Sequence, residues 1–513
     1  MNIKTTIIAT CLLLTSAATA QISERWLLQI PRFKPSRTIV DQSSNVIVVG
    51  TQWNTTVTTS AMAAYCYNQD RQLLWSWNSG LSGNDAAEDA ELLPDGSLVI
   101  AGNRGARWLI AKLTPLHVQA WATTYVPADQ PIADDVPSRV KVDVAGNVYV
   151  CGYTQGPITQ DARVTKFAGT TGATIWSQVR GIQERWDRFE DMDIDAAGNV
   201  VCVGEVGDSD LDEQLKLAAV SFSPAGTQRW AHYLLGQWSD PDQYGFFEIG
   251  TARSVKIAPS GNVYLGGVFG DDLQFTDLAA IKISPSGALQ WRRQWNGSDD
   301  GLYDRAYAVA LGRQEQLYLT GETFQNIGFN YFNTPVIAYD TAGVFLWQDI
   351  FNSPPGNNDS EDVAMNILVD EFDRVIMIGS DWTKPGPDYF VRVFTRAGEL
   401  VEEISVDSPG SHFDVDGVRR AALAPGGKLF FAGRQGGLTP INGTTGTVGL
   451  IQLSVPGSAC PADFNVDGTL DFFDYLDFVE AFASLSIAAD FNADAVIDFF
   501  DYLDFVQAFA AGC

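Results

Sequence analysis

Histidine is almost missing from this chain. His117, His232 and His412 stand far apart and form no ligand-spaced group, so neither a histidine-bound zinc site nor a histidine-dependent triad is expected. Positive charge is scarce as well: 33 Lys and Arg face 62 Asp and Glu, a formal charge of −29. Such a surface repels nucleic acid and anionic lipid and suits cations. No stretch of about 18 apolar residues occurs, which argues against a transmembrane helix. No G-x-S-x-G, Walker A or H-E-x-x-H motif is present, and no two carboxylates stand out as an acid/base couple. Cysteine is sparse, and beyond Gln21 its count is odd: Cys66, Cys151, Cys202, Cys460 and Cys513 cannot all pair within one chain.

What is present begins with "MNIKTTIIATCLLLTSAATAQ". A lysine precedes a short apolar run that ends in small residues, the pattern of a secretory signal peptide over residues 1–20, cut before Gln21. An extracellular or cell-surface location is therefore expected. From 21 to 455 one phrase returns: "GNVYVCG" (146–152), "GNVVCVG" (198–204), "GNVYLGG" (261–267) and weaker copies. Eight copies close on Gly50, Gly102, Gly152, Gly204, Gly267, Gly321, Gly379 and Gly433, spaced 50 to 63 apart. Each is a turn followed by a β-branched, aromatic run, which reads as a strand.

A second hairpin follows most copies, as in "LAAIKISPSGALQWRRQW", with glycine where the turn needs positive φ. A tryptophan opens its last strand: Trp75, Trp121, Trp176, Trp230, Trp291 and Trp347, with Val401 in the seventh place. Four strands in a repeat of about 50 residues is the arithmetic of a β-propeller blade. A β-helix repeat is shorter, and sandwich domains need about 100 residues each. The eighth copy lacks a tryptophan strand, whereas the N-terminal "SERWLLQI" is one without a hairpin before it. Trp26 is thus expected to supply the outer strand of the last blade and to close the ring. The fold class is all-β, an eight-bladed propeller with a seven-bladed ring as the alternative, followed by a small all-α domain. The body resembles the bacterial propeller repeats of the SBBP type through "VKVDVAGNVYVCG" (140–152). That resemblance implies a fold but no particular activity.

Two features of the body bear on chemistry. Seventeen residues before the closing glycines stand Asp85, Asp135, Asp187, Asp304, Asp362 and Asp416. They read either as a polar or cation-binding ring at one channel mouth or as turn caps. Loops between blades place aromatics beside carboxylates: Trp186 with Asp187, Trp238 and Tyr244 with Asp242, Tyr303 and Tyr307 with Asp299 and Asp300, next to Asp304. Such loops are candidates for binding a carbohydrate or a peptide, with loop packing as the alternative. Cys151 and Cys202 differ by one position in phase and are expected to face opposite sides of their strands, which argues against pairing.

The chain then says one thing twice. "DFNVDGTLDFFDYLDFVEAF" from Asp463 and "DFNADAVIDFFDYLDFVQAF" from Asp490 are 27 residues apart. The first has Asp463, Asn465, Asp467, Asp471 and Asp474 at positions 1, 3, 5, 9 and 12 of a calcium loop, with Thr469 offering its carbonyl and Gly468 the sharp turn. The second has Asp490, Asn492, Asp494, Asp498 and Asp501, with Val496 for the carbonyl and Ala495 replacing the glycine. Phe472, Tyr475, Leu476, Val479 and Phe482 then fall at helical spacing. Each copy is a loop plus one helix, and position 12 is Asp. In both respects the segment 456–513 resembles dockerin, a duplicated calcium module, and "AFAAGC" at its end resembles the GC type. The resemblance implies calcium as cofactor and a cohesin-like or other surface receptor as partner. It implies recognition residues at Phe472–Phe473 and Phe499–Phe500. From Pro456 on there are eleven Asp and Glu and no Lys or Arg, so cations would relieve the repulsion. Cys460 and Cys513 bracket the module and suit a disulfide, and attachment or processing at Cys513 is the other reading. Two functions are expected to compete: a non-enzymatic surface platform, and an extracellular carbohydrate-active enzyme carried by the same anchor.

Overall fold

The computed structural model describes residues 22–54, 59–80, 83–127, 134–155, 159–181, 186–207, 215–234, 248–271, 275–297, 303–326, 330–351, 362–381, 388–406, 421–435, 445–454, 462, 464, 470, 472–483, 489, 491 and 496–511. Eight four-stranded antiparallel units follow one another round a ring, with the fourth and fifth joined by a single parallel bridge, Leu215 to Ile249. Blade 1 is Phe33–Val40, Val46–Trp53, Ser60–Tyr67 and Leu73–Asn78. Blades 2 to 7 open with Asp85–Leu92, Val136–Val142, Arg188–Ile194, Glu248–Ile257, Asp304–Leu311 and Val363–Val369. Blade 8 combines Ala422–Ala424, Lys428–Gln435 and Thr445–Gln452 with the N-terminal strand Ser23–Pro31, paired antiparallel from Ser23–Gln452 to Pro31–Thr445. The expected closure by Trp26 is therefore found, and the ring has eight blades. First strands of successive blades pack on one another round the axis, whereas the fourth strands are the most exposed.

The repeated phrase has three physical causes. In blades 1 to 7 the first strand carries a bulge opposite the closing glycine, as between Pro35 and Arg37 or Ala87 and Asp89. A Cβ on Gly50, Gly102 or Gly152 would strike a carbonyl of that bulged strand, so glycine is required there. Next, an aspartate three residues before the glycine–asparagine pair caps its own turn in two of the three such copies. Asp143 accepts from Ala145 N at 3.1 Å, Asn147 N at 2.8 Å and Asn147 Nδ2 at 3.0 Å, and Asp41 and Asp195 cap their turns in the same way. Finally, the rim tryptophan of one blade lies on the next. Trp121, Trp176, Trp291 and Trp347 donate to the carbonyls of Gly169, Pro224, Thr341 and Arg396 at 3.1, 3.0, 3.0 and 2.8 Å. At the seam Trp26 donates to Gln69 at 2.7 Å.

The two ends of the ring differ. Strands 1–2 of every blade, and strands 3–4 of blades 1 to 7, are joined by short, near-uniform turns such as 41–45, 68–72 and 93–97. At the opposite end the connections run from 105–106 to 407–421, so that end is the variable face. Leu453 bonds to Gly427 O in a short turn, and the tail therefore leaves from the uniform face.

Cys151 and Cys202 are unpaired, as expected, and yet they meet. Both are wholly buried in one cluster with Tyr149, Val164, Phe189 and Phe222, and their thiols interact. Facing opposite sides of strands in adjacent blades is what brings them together, because those two sides form the interface. Both thiols are free, and the Cys151 thiol is pushed up by burial and by its neighbour.

The tail holds two helices, α1 (Phe472–Ala483) and α2 (Phe499–Ala511), related by a pseudo-two-fold. Phe478 and Phe505 stack at 3.9 Å and 2°, and the Tyr475 and Tyr502 hydroxyls meet at 3.1 Å. Phe464 meets Phe478 edge-on at 5.3 Å and Phe491 meets Phe505 at 5.5 Å. The repeat is thus two half-cores that complete one another, which is how so short a segment buries an aromatic core. Arg313, in a uniform-face turn, lies 5.5 Å over the Phe464 ring.

Candidate functional site

On the variable face the described ligand candidates separate. Trp186 is 64% exposed, whereas Asp187 beside it is wholly buried. Asp85, Asp135, Asp304 and Asp362 are buried as well. Their place is the joint between blades: Asp135, Asp187 and Asp362 donate their N–H to Ala106, Gln160 and Phe332 of the preceding blade at 3.0, 2.9 and 2.9 Å. Asp85 pairs with Arg104 at 2.8 Å, and Asp135 with Arg107 at 2.9 Å. Asp304 accepts from Gly297 N at 2.6 Å. Burial pushes the Asp304 carboxyl up to about 7, with Asp277 and Glu322 adding to the shift and Gly297 N–H and Thr323 opposing it. Trp238, Asp242, Tyr244 and Asp416 lie outside the described residues.

Sequence reading missed the axis. Arg37, Asp89, Arg139 and Asp191 occupy one level of consecutive first strands, with Arg37–Asp89 at 3.7 Å and Arg139–Asp191 at 2.5 Å. One layer on, Lys141 sits 3.7 Å from Glu91 and 3.6 Å from Asp193. The carboxylates also satisfy the free edges of these innermost strands: Asp89, Asp191 and Asp193 accept from Val140, Val255 and Ile257 N at 3.0, 3.0 and 2.9 Å. The signal was available in the sequence, since "PSRTIV" (35–40) matches "PSRVKV" (137–142) and "AEDAEL" (87–92) matches "FEDMDI" (189–194). Blades 1–2 and 3–4 therefore repeat as pairs. Burial raises the Asp191 carboxyl, but Arg139, Lys256 and the Val255 N–H outweigh it, and the group ends below its ordinary value. Lys256 is lowered by burial, against the pull of Asp193. These charges bind blade to blade, and a ligand would find most of them already engaged.

In the tail Phe472, Phe473, Phe499 and Phe500 are 64, 64, 63 and 65% exposed, and Leu476 and Leu503 flank them on the surface. The two copies thus present matching apolar faces. Of the calcium-loop residues, Asp474, Val496, Asp498 and Asp501 are described. Asp463, Asn465, Asp467, Thr469, Asp471, Asp490, Asn492 and Asp494 lie outside, as do Cys460 and Cys513. Asp474 and Asp501 are wholly buried. The Asp501 carboxylate ties its loop together, accepting from Phe491 N at 2.7 Å and Asp498 N at 2.8 Å. Among the described residues no cluster of three His, Cys, Asp or Glu suited to a metal occurs, and no helix is long and apolar enough to cross a membrane.

No protein-family model matches this chain, and no curated protein matches it in sequence. Solved structures that resemble it include Sqt1 from Chaetomium thermophilum, at 11% identity over 85% of this chain and 100% of that one, TM-score 0.48. The β-propeller domain of the Trilobed protease from Pyrococcus furiosus shares 11% identity over 75% and 97%, TM-score 0.38. Drosophila Plexin A, in complex with Semaphorin 1b, shares 9% over 84% and 88%, TM-score 0.38. Likeness at this level carries no argument about function.

Proposed function

We propose that this protein is an exported, non-enzymatic binding platform, held at a surface by its C-terminal module with calcium as that module's cofactor. The observation that carries the reading is the pair of outward Phe–Phe steps on α1 and α2. Four large apolar side chains more than half exposed, on a core complete without them, make a docking patch. A cohesin-like or other surface receptor is the partner the patch would meet. Buried Asp474 and Asp501, in a segment without Lys or Arg, fit a hard cation, and the loop residues that would complete each site are the oxygen donors named from sequence. A tail leaving from the uniform face supports a platform whose variable face points away from the attachment. Trp186 there, with Trp238, Asp242 and Tyr244 of the next connection between blades (235–247), would contact a carbohydrate or peptide ligand.

The test is retention of the full chain on the envelope of the producing cells. Retention is expected in calcium, and release is expected in EDTA. A variant with Phe472, Phe473, Phe499 and Phe500 all changed to Ala is also expected to be released in calcium. Retention indifferent to both changes sinks the reading. Release of product from a bound polysaccharide would replace the platform with an enzyme.

A further inference from the structure

The buried aspartates of blades 2 and 6 stand in the same register among different neighbours. In blade 2 a row of same-face residues crosses the first three strands, Asp85 opposite Arg104 and Arg104 opposite Arg107. Both guanidiniums pair with carboxylates, Arg104 with Asp85 and Arg107 with Asp135 of the next blade. The row is therefore carboxylate, cation, cation, carboxylate. In blade 6 the same register reads Asp304 opposite Thr323 and Thr323 opposite Asn333, and Asp362 of the next blade bonds to Phe332 O as Asp135 bonds to Ala106 O. The carboxylates remain, both buried, but the two arginines have become a hydroxyl and an amide.

Asn333 makes this more than a substitution. It is wholly buried, and neither its Nδ2 nor its Oδ1 has a hydrogen-bond partner. A buried amide left so implies an occupant beside it. Asp304 is itself buried and accepts from Gly297 N, and neither Thr323 nor Asn333 brings a positive charge to the row. Neutral oxygens flanked by carboxylates in a dry joint are the donor set of a hard cation.

We infer that the blade 6 row, Asp304–Thr323–Asn333–Asp362, binds a hard cation of the calcium type inside the propeller, in place of the two arginines of blade 2. This site is independent of the C-terminal module and goes beyond the platform reading.

Tryptophan emission separates the two, because none of the 14 tryptophans lies beyond Trp382. Thermal unfolding of the EDTA-stripped full chain, followed by that emission, is expected to move up by several degrees when calcium is added. Thr323→Val, nearly isosteric, should abolish the shift, and Thr323→Ser should keep it. Asn333→Asp should enlarge it, being less stable than wild type in EDTA and restored by calcium. A tail variant, Asp474→Asn with Asp501→Asn, should keep the propeller shift even if the module loses its own ions. No shift, or an equal shift in Thr323→Val, overturns the proposal, as does a shift lost only in the tail variant. In those cases the row holds water and a proton.

Discussion

Asp191 shows how one side chain can hold two blades and make their joint sensitive to acid. It faces the Arg139 guanidinium at 2.5 Å and the Val255 N–H at 3.0 Å, and its carboxyl lies below the ordinary value despite burial. A carboxyl depressed by folding contributes stability above its unfolded pKa, about 4, and loses it as pH falls through the lower folded value. Asp191→Asn should therefore cost about 3 kcal/mol near neutrality, since it leaves Arg139 facing a neutral amide. Denaturant titrations at a series of pH values should show the gap to wild type closing below about pH 4. A gap constant with pH would mean that packing, and not charge, is what the aspartate supplies. A single blade consensus hides this joint, because Arg and Asp alternate with a period of two blades over blades 1 to 4. The aspartates expected to form calcium loops stand out in the sequence for the opposite reason: they repeat at a fixed offset of 27 residues. At Cys151 and Cys202 the phase gave the faces correctly, and opposite faces of neighbouring sheets are the faces that touch.

At the scale of the element, the rim tryptophan and the glycine beneath it act as one part. Gly343 has φ +77° and a Cβ there would come within 2.7 Å of the Trp291 ring, so the position demands glycine for its backbone and for its neighbour. Gly426 has φ +75° and open space around it. Gly426→Ala should cost about 1 kcal/mol, the price of the left-handed conformation alone. Gly343→Ala should cost that plus the displacement of a side chain only 7% exposed, about 2 to 3 kcal/mol in all. Equal losses in chemical denaturation would show that the tryptophan yields freely. The same part explains the missing seventh tryptophan, whose place the strand register gives to Glu402 and not to Val401. Blade 7 packs against blade 8, whose third and fourth strands are the two ends of the ring and are not joined by a turn. With no turn to receive an indole, the tryptophan has no purpose there. Strand count, hairpins and closure were thus readable, because turn chemistry and rim packing recur in every blade. What a ligand would meet was not, because the connections that differ between blades carry no repeat against which to read them.

The whole molecule depends on one strand from its N-terminal end. Residues Ser23–Pro31 cover the edge of Thr445–Gln452 along its length, and Trp26 and Ile30 complete the core shared by blades 8 and 1. Without them an edge of unpaired N–H and C=O groups lies open beside an apolar cluster, a template for association. It also frees the first blade from the last, so the ring loses the constraint that makes its eight units unfold together. The N-terminal strand begins, and the tail departs, on the uniform face, so closure and the tail share the side opposite the variable face. A chain lacking residues 22–31 is therefore expected to self-associate in size-exclusion chromatography and to unfold in more than one step. A synthetic peptide of those ten residues, added in excess, should restore a monomer with a single transition, and the same peptide with Trp26→Ala should do so poorly. A truncated chain that stays monomeric and unfolds as wild type does would show that blades 1 and 8 hold together by their faces alone, and that the shared blade is not what closes the ring.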